Sequence, residues 1–389
     1  MKSKDTLRNI LIPLIIGVVL LGIILQAQYL ISPESLDDIS RVLFRIVVWL
    51  TLPVRLFLVV LIPPHAHHYS LTHWIALALL TPLLYTWIWI WVWSIIARMQ
   101  QSGQCLHRRP KSLMIAMMAV VLMVGIYGVI IEPEIIRIRE YIIDVKDLPE
   151  EFEGLTIVHV SDTHYGPYVS RRFLKRMSRK ANALNPDVVI LTGDYVHRTP
   201  LSIESGIGIL GTLESRYGSV AVLGNHEHWE GVDRCIEAFR HINIPLVDNT
   251  RLFLTPAGFS DIEQPGQSIC FAGVGDLWED EVLFNEALEG VSGTTPRIVL
   301  SHNPDTAEEA PADLRIDLMC SGHTHGGQVR FPITKISFSP TRFRLKYSGG
   351  LYTGGDFPVV ISRGIGLAGL PVRFLVPPEL CLITLRRKI

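Results

Sequence analysis

Five short clusters between residues 155 and 325 carry side chains suited to hard and borderline divalent cations: Ser161-Asp162-Thr163-His164, Gly193-Asp194-Tyr195-Val196, Gly224-Asn225-His226-Glu227, Ser301-His302-Asn303 and Gly322-His323-Thr324-His325. Asp162, His164, Asp194, Asn225, His302, His323 and His325 offer carboxylate, amide and imidazole donors, the set that suits Mn, Fe, Zn and similar ions. A lone Asp-x-His is expected about once by chance in a chain of this length, so no single motif decides the matter. Their joint order does, because each closes a short apolar run that reads as a buried strand: LTIVHV, DVVIL, SVAVL, RIVLS and DLMC. In open α/β sheets ligands gather at the carboxyl ends of strands, so ligands far apart in sequence would meet at one sheet edge. In His323-Thr324-His325 the two imidazoles read as alternating on an extended segment. Gly322, Gly326 and Gly327 leave its backbone free to approach an ion.

In order and type, these clusters resemble the calcineurin-like metallophosphoesterases, whose signature runs D-x-H, G-D, G-N-H-[ED], a later His and G-H-x-H. The resemblance covers about residues 150 to 330. It implies that Asp162, His164 and His325 hold a first divalent ion, that Asn225, His302 and His323 hold a second, and that Asp194 bridges them. Two ions about 3.5 to 4 Å apart would acidify a bridging water and stabilise both the attacking and leaving oxygens of an in-line displacement at phosphorus. His226 is left over as a catalytic group that would protonate the leaving oxygen or stabilise the transition state. The Ser/Thr protein phosphatases of the family carry GDxVDRG at the second motif. Here His197 and Arg198 follow Val196, which weakens a protein-phosphatase reading and leaves the partner of His226 to be sought elsewhere. Arg198 is either a substrate contact or a solvated loop charge.

The elements that must position these residues are α/β. Strands alternate with helices over residues 155–223 and strand-rich sequence follows to the end. The resemblance sharpens this to two mixed β-sheets packed face to face with helices outside, over a domain of residues 136–389. The closing segment SRGIGLAGLPVRFLVPPELCLITL and the entry segment IRIREYIIDVKDLPEEFEG also resemble a membrane-associated or secreted bacterial branch of the family. Around VSRRFLKRMSRKANAL, apolar Val169, Phe173, Leu174, Met177, Ala181 and Leu184 predict an amphipathic crossover helix. Its Arg171, Arg172, Lys175, Arg176, Arg179 and Lys180 read as a solvated face, with contact to anionic headgroups as a weaker reading. Roughly 250 residues suffice for one full core.

Residues 1–135 differ in kind. A chain that is 48% hydrophobic and 19% charged, with mean hydropathy +0.31, is too apolar for an ordinary soluble protein, and the excess lies in the first third. Segments 10–31, 74–97 and 113–131 qualify as transmembrane helices by length and lack of charge, and 42–62 is a fourth candidate interrupted by Arg45, Pro53 and Arg55. Arg98, Arg108, Arg109 and Lys111, with no acid among them, place the last connection in the cytoplasm and the catalytic domain outside. Alternate tryptophans Trp87, Trp89, Trp91 and Trp93 read as an interfacial belt. His65, His67, His68 and His73 read as polar residues at the membrane surface. Five cysteines without C-x-x-C spacing argue against a disulfide framework, and Cys320 reads as a small core residue.

The expectation is a membrane-anchored, dinuclear-metal phosphoester hydrolase. One alternative shifts the substrate to a membrane lipid phosphate or pyrophosphate such as a glycolipid precursor, which anchoring would present at high effective concentration. Arg330, Arg342, Arg344 and Lys346 could meet such a headgroup or be plain surface charge. Another alternative is a non-catalytic sensor or scaffold for a phosphorylated ligand, which the complete ligand set argues against. No basic stripe with interleaved aromatics marks a nucleic-acid partner.

Overall fold

The computed structural model describes residues 123–330, 339–343 and 346–388, with isolated positions 41, 45, 116, 119 and 120. Segments 10–31, 42–62 apart from Arg45, and 74–97, the histidines at 65–73, the Trp belt and Arg344 lie outside the described residues, as do positions 113–115, 117, 118, 121 and 122 of 113–131. Among the described residues no helix is long and apolar enough to cross a membrane. From Ile131 onward the chain is a unit of its own.

All five apolar runs that precede the motifs are strands: β2 (Thr156–Val160), β3 (Val188–Thr192), β4 (Ser219–Val222), β8 (Arg297–Leu300) and β9 (Leu318–Ser321). β1 (Arg137–Val145) and β12 (Glu379–Arg387) join the first three in a sheet of order β1-β12-β2-β3-β4. β2, β3 and β4 run parallel, while the C-terminal strand inserts antiparallel to β2, with Cys381 opposite His159. The second sheet runs β10 (Gly350–Tyr352), β11 (Val359–Ile361), β9, β8, β7 (Ile269–Gly273), β5 (Arg251–Thr255), β6 (Gly258–Ser260), and its central four, β11, β9, β8 and β7, are parallel.

Period-two alternation builds the core between the sheets. Ile157, Val188, Ile190, Val220 and Val222 of the first sheet meet Leu254, Ile269, Phe271, Ile298, Leu300, Leu318 and Cys320 of the second in one buried cluster. Truncating Phe271 there would cost about 3–5 kcal/mol. The residues in between point the other way. Cys270, Ala272, Val299 and Met319 pack with Phe284, Ala287 and Leu288 of a short helix, α4 (Phe284–Leu288).

Crossover helix α1 (Arg171–Asn182) starts where Ser170 caps it, its Oγ accepting from Phe173 N at 3.1 Å. Phe173, Leu174, Met177 and Ala181 are buried as the pattern predicts. Its polar face is only partly a solvated one, because Arg176 binds the Glu134 carboxylate and carbonyl and Lys180 donates to the Ile136 carbonyl, tying α1 to the domain's entry segment. The remaining helices are α2 (Ile203–Leu210) and α3 (Asn225–His241), the latter kinked at Gly231, whose φ of 135° only glycine adopts without strain.

Candidate active site

Because β2, β3, β4, β8 and β9 all end on the same edge of the sandwich, the loops that follow them converge. His164 Nε2 lies 2.9 Å from His325 Nε2, and His325 Nε2 lies 3.3 Å from Asp162 Oδ1. On the other side of Asp194, its Oδ2 lies 3.2 Å from His302 Nε2, and His302 Nε2 lies 3.1 Å from His323 Nδ1. Asp194 Oδ2 is also 3.4 Å from His164 Nε2, so this carboxylate stands between the two groups. Asp162, His164 and His325 form one set of donor atoms able to hold an ion, and Asp194, His302 and His323 form another.

These separations suit ions as well as the donor types do. Two ligands each about 2.0–2.1 Å from one ion stand about 2.8–3.4 Å apart at right-angled to tetrahedral geometry. Asn225, at the first position of α3, is 2% exposed and its Oδ1 has no hydrogen-bond partner, an acceptor left over for something the protein itself does not supply. The His302 Nδ1 faces the Thr192 carbonyl at 2.8 Å, so Nδ1–H donates there and Nε2 is the ring atom turned toward the cluster.

The backbone accepts strain to bring these groups together. Asp162, His164, Asp194, His323 and His325 all have positive φ, between 43° and 65°, a conformation costing of order 1–3 kcal/mol per residue that concentrates at functional sites. This corrects the expectation for the last motif. His323-Thr324-His325 is a tight turn entering a 3-10 helix (His325–Gly327), and the two rings reach separate groups by turning the backbone. Gly322 makes that possible, since a Cβ there would stand 2.4 Å from Asp162 Oδ2.

Burial sets the electrostatics. It lowers His164 well below the usual imidazole range, His323 to about 3 and His226 to about 4, so these rings are neutral near pH 7. His302 is the exception. Burial alone would lower it, yet the Asp194 carboxylate beside it raises it well above the ordinary value. Asp162 and Asp194 are held low by their histidine neighbours against the cost of burial.

His226 forms part of the wall of a 240 Å³ cavity that also takes in Asp194, Asn225, Trp229, Trp278, His323, His325 and Gln328. Its backbone N–H donates to Asp194 Oδ1 at 3.0 Å and its Nε2 lies 4.0 Å from Asp194 Oδ2. Its partner is not remote in sequence: His197 Nδ1 lies 3.4 Å from His226 Nδ1, and Arg198 Nε donates to His197 Nε2 at 2.9 Å. Arg198 is thereby engaged with a neighbour instead of standing free in solvent. Lys346 pairs with Glu308, in keeping with the surface-charge reading, and Arg342 is exposed.

The supporting roles of four residues escaped the sequence reading. Glu227, fully buried, accepts from the backbone N–H groups of Asp194, Tyr195, Val196 and Gly224, which fixes the second motif against the third. Its place three residues after Gly224, at the start of a helix, was the available signal. Arg373, with zero exposure, directs Nη2 at His325 Nδ1 over 3.3 Å. Trp278 packs edge-on against His323 at 4.4 Å between centroids, and Trp229 against His226 at 4.7 Å. Neither pattern had a local signature. Cys320 is a buried free thiol in the core, as expected.

The domain these features define is a calcineurin-like metallophosphoesterase: residues 155–327 match the calcineurin-like phosphoesterase family, and the chain carries that phosphoester-hydrolase domain. Among its relatives, the zebrafish (Danio rerio) "Transmembrane protein with metallophosphoesterase domain" is 31% identical over 68% of this chain and 60% of its own length. The "Uncharacterized metallophosphoesterase YkuE" of Bacillus subtilis is 28% identical over 67% of this chain and 89% of its own. The "UDP-2,3-diacylglucosamine pyrophosphatase LpxG" of Chlamydia trachomatis is 29% identical over 65% and 90%. This chain therefore spans less than two thirds of the zebrafish relative and most of the two bacterial ones.

Proposed function

We propose that the chain is a membrane-anchored, dinuclear metal-dependent phosphoester hydrolase, with residues 136–389 as its catalytic domain outside the cytoplasm. Asp162, His164 and His325 would hold one divalent ion, Asn225, His302 and His323 a second, with Asp194 shared. The carrying observation is the convergence of two donor sets around a common carboxylate at ligand-to-ligand distances of 2.9–3.4 Å. Mn, Fe or Zn suit such donors. When bound, the ions supply charge for phosphoryl oxygens and lower the pKa of water. The protein's own part is to hold His164, His226 and His323 neutral by burial, to orient the His302 ring through its contact with Thr192, and to set His226 beside the reacting edge of the cavity. Anchoring rests on the apolar first third of the sequence.

A lipid-linked phosphate or pyrophosphate is the favoured substrate class. The Chlamydia relative is named as a pyrophosphatase of an acylated nucleotide sugar, and the cavity wall includes the apolar faces of Trp229 and Trp278. The test is turnover by detergent-purified protein, metal-stripped and reloaded with Mn, on phosphomonoesters, phosphodiesters and lipid pyrophosphates. Asn225→Ala and His226→Ala are run alongside. Metal-dependent turnover reduced about 10²-fold or more in both variants is expected. No turnover with phosphate binding intact would instead make the chain a sensor of phosphorylated ligands.

A further inference from the structure

We propose that the domain seats one particular face on the anionic surface of the bilayer, through Ile131, Ile135 and Leu375 with the basic stripe of α1 beside them, and that this face carries the mouth of the reaction cavity. The inference rests on the anchored reading, because it takes residue 131 as the end of a membrane span. Around that end the surface is apolar: Ile131, Ile135 and Leu375 are all exposed. One knot holds the three together, since Ile135 N donates to the Glu132 carbonyl at 3.0 Å and Leu375 N donates to the Glu132 carboxylate at 2.8 Å. Glu132 itself is buried, so the knot is part of the domain. Leu375 stands at φ 60°, a left-handed conformation that a leucine adopts only at a cost. Strain held at an exposed apolar side chain points to a functional constraint.

Charge complements the apolar knot. Arg172, Lys175 and Arg179 share one exposed stripe of α1 by their helical spacing. Arg176 and Lys180, on the adjacent row, hold that stripe against the knot through Glu134 and the Ile136 carbonyl. Apolar side chains flanked by cations suit a surface that lies on anionic headgroups. The loop that presents Leu375 also supplies Ala368 and Gly369 to the wall of the reaction cavity. Gln328, on the same wall, donates to the Ala368 and Leu370 carbonyls, and Phe374 N donates to the Gln328 carbonyl, which fixes the loop to the cavity. Gly369 and Leu375 are six positions apart in the chain, which bounds their separation at about 20 Å. A phosphorylated lipid would therefore reach the cavity from the headgroup layer, without crossing open solvent.

The face is read with the full-length chain in vesicles of phosphatidylglycerol and phosphatidylcholine, washed with alkaline carbonate. A nitroxide is placed at Leu375→Cys, with exposed Ile262→Cys, just past the edge strand β6 of the second sheet, as the control. Cys105→Ser is the background, the other four cysteines being buried. In power saturation the label at 375 should be relaxed more by oxygen than by a water-soluble nickel chelate, and the label at 262 the reverse. Aqueous behaviour at both positions, with the chain retained through carbonate, overturns the proposal alone. Release of the chain by carbonate overturns the anchored reading and the proposal together. Dipolar broadening between copies labelled at 375 makes the patch a dimer interface, which also overturns it. A second variant, Lys175→Glu with Arg179→Glu, leaves the knot untouched. On the Mn-loaded chain it should raise KM for a lipid pyrophosphate in these vesicles about tenfold or more at unchanged kcat, each cation near such a surface being worth about fivefold in binding. Turnover of soluble p-nitrophenyl phosphate should not change. Equal KM on the vesicles overturns the headgroup contact. Absence of turnover on every substrate overturns the hydrolase reading, while the labels still decide the face.

Discussion

Two arginines touch histidines at or beside the ligand cluster, and they do different work. Arg373 is wholly buried and gives every N–H an acceptor: the carbonyls of Arg363, Gly364, Gly366 and Val376, with Nη2 also facing His325 Nδ1. The loop it gathers lies against the first motif, where Ile365 N and Gly366 N donate to the carbonyls of Ser161 and Asp162. Arg198, half-buried beside the cavity, donates its Nε–H to His197 and lies over the Tyr168 ring at 5.4 Å. A charge in the interior is tolerable when its hydrogen bonds are complete, and it then becomes part of the fold. A half-buried guanidinium keeps part of its hydration and carries less of the fold.

The contrast breaks most visibly at Arg373. Arg373→Met keeps the stem but leaves the carbonyls of Arg363, Gly366 and Val376 without this donor, Gly364 O keeping Glu379 N, and should cost about 3–5 kcal/mol, lowering Tm by roughly 10 °C. Arg198→Met, at a half-buried position that loses a hydrogen bond and a ring contact, should cost less, about 1–2 kcal/mol. Equal losses in thermal denaturation would dissolve the distinction.

A smaller effect is expected next to the arginine-bound loop, where backbone closeness replaces hydrogen bonds. In Gly322→Ala the new Cβ would stand 1.8 Å from Ser161 Oγ and 2.4 Å from Asp162 Oδ2, so the first motif must shift. Affinity for Mn or Zn, measured by calorimetry, should fall about 10- to 100-fold, with a stability cost of about 1–3 kcal/mol. Undiminished affinity would mean that Asp162 is not held where an ion needs it.

The same division runs through what the sequence discloses. Asp162, His164, Asp194, Asn225, His302, His323 and His325 were legible because each sits within two to four residues of a strand end, and short apolar runs betray strands. The sandwich followed from the alternation of those runs and from family resemblance. That β12 slips between β1 and β2 was not legible, because nothing local encodes a pairing between Cys381 and His159. Arg373 was hidden for the same reason: it lies 48 residues from His325 and reads as an ordinary charge in an apolar stretch. The turn at His323–His325 was missed because its positive φ values are imposed by tertiary contact, His323 N donating to both Asp162 oxygens at 3.0 and 3.1 Å. His197 was noticed only as a missing aspartate, since its contact with His226 is made by the fold.

Asp248 offers the finest test of the rule that completed hydrogen bonds make a buried charge tolerable, because it is the opposite case to Arg373. Its Oδ1 accepts from Leu223 N at 2.9 Å, but its Oδ2 is buried with no hydrogen-bond partner, and burial raises its pKa to about 7. A carboxyl whose folded pKa exceeds its unfolded value of about 3.9 contributes fully to stability below that value. The contribution is then lost as pH rises through the folded pKa. Asp248→Asn keeps the acceptor for Leu223 and removes the ionisation. Its Tm relative to the parent should therefore climb between about pH 4 and pH 7 and level off above, with a total gain of about 1–2 kcal/mol after discounting for relaxation and water. A difference that is flat with pH would mean that Asp248 ionises in the fold as freely as in the unfolded chain, and that an unmet hydrogen bond beside a buried charge carries no penalty here.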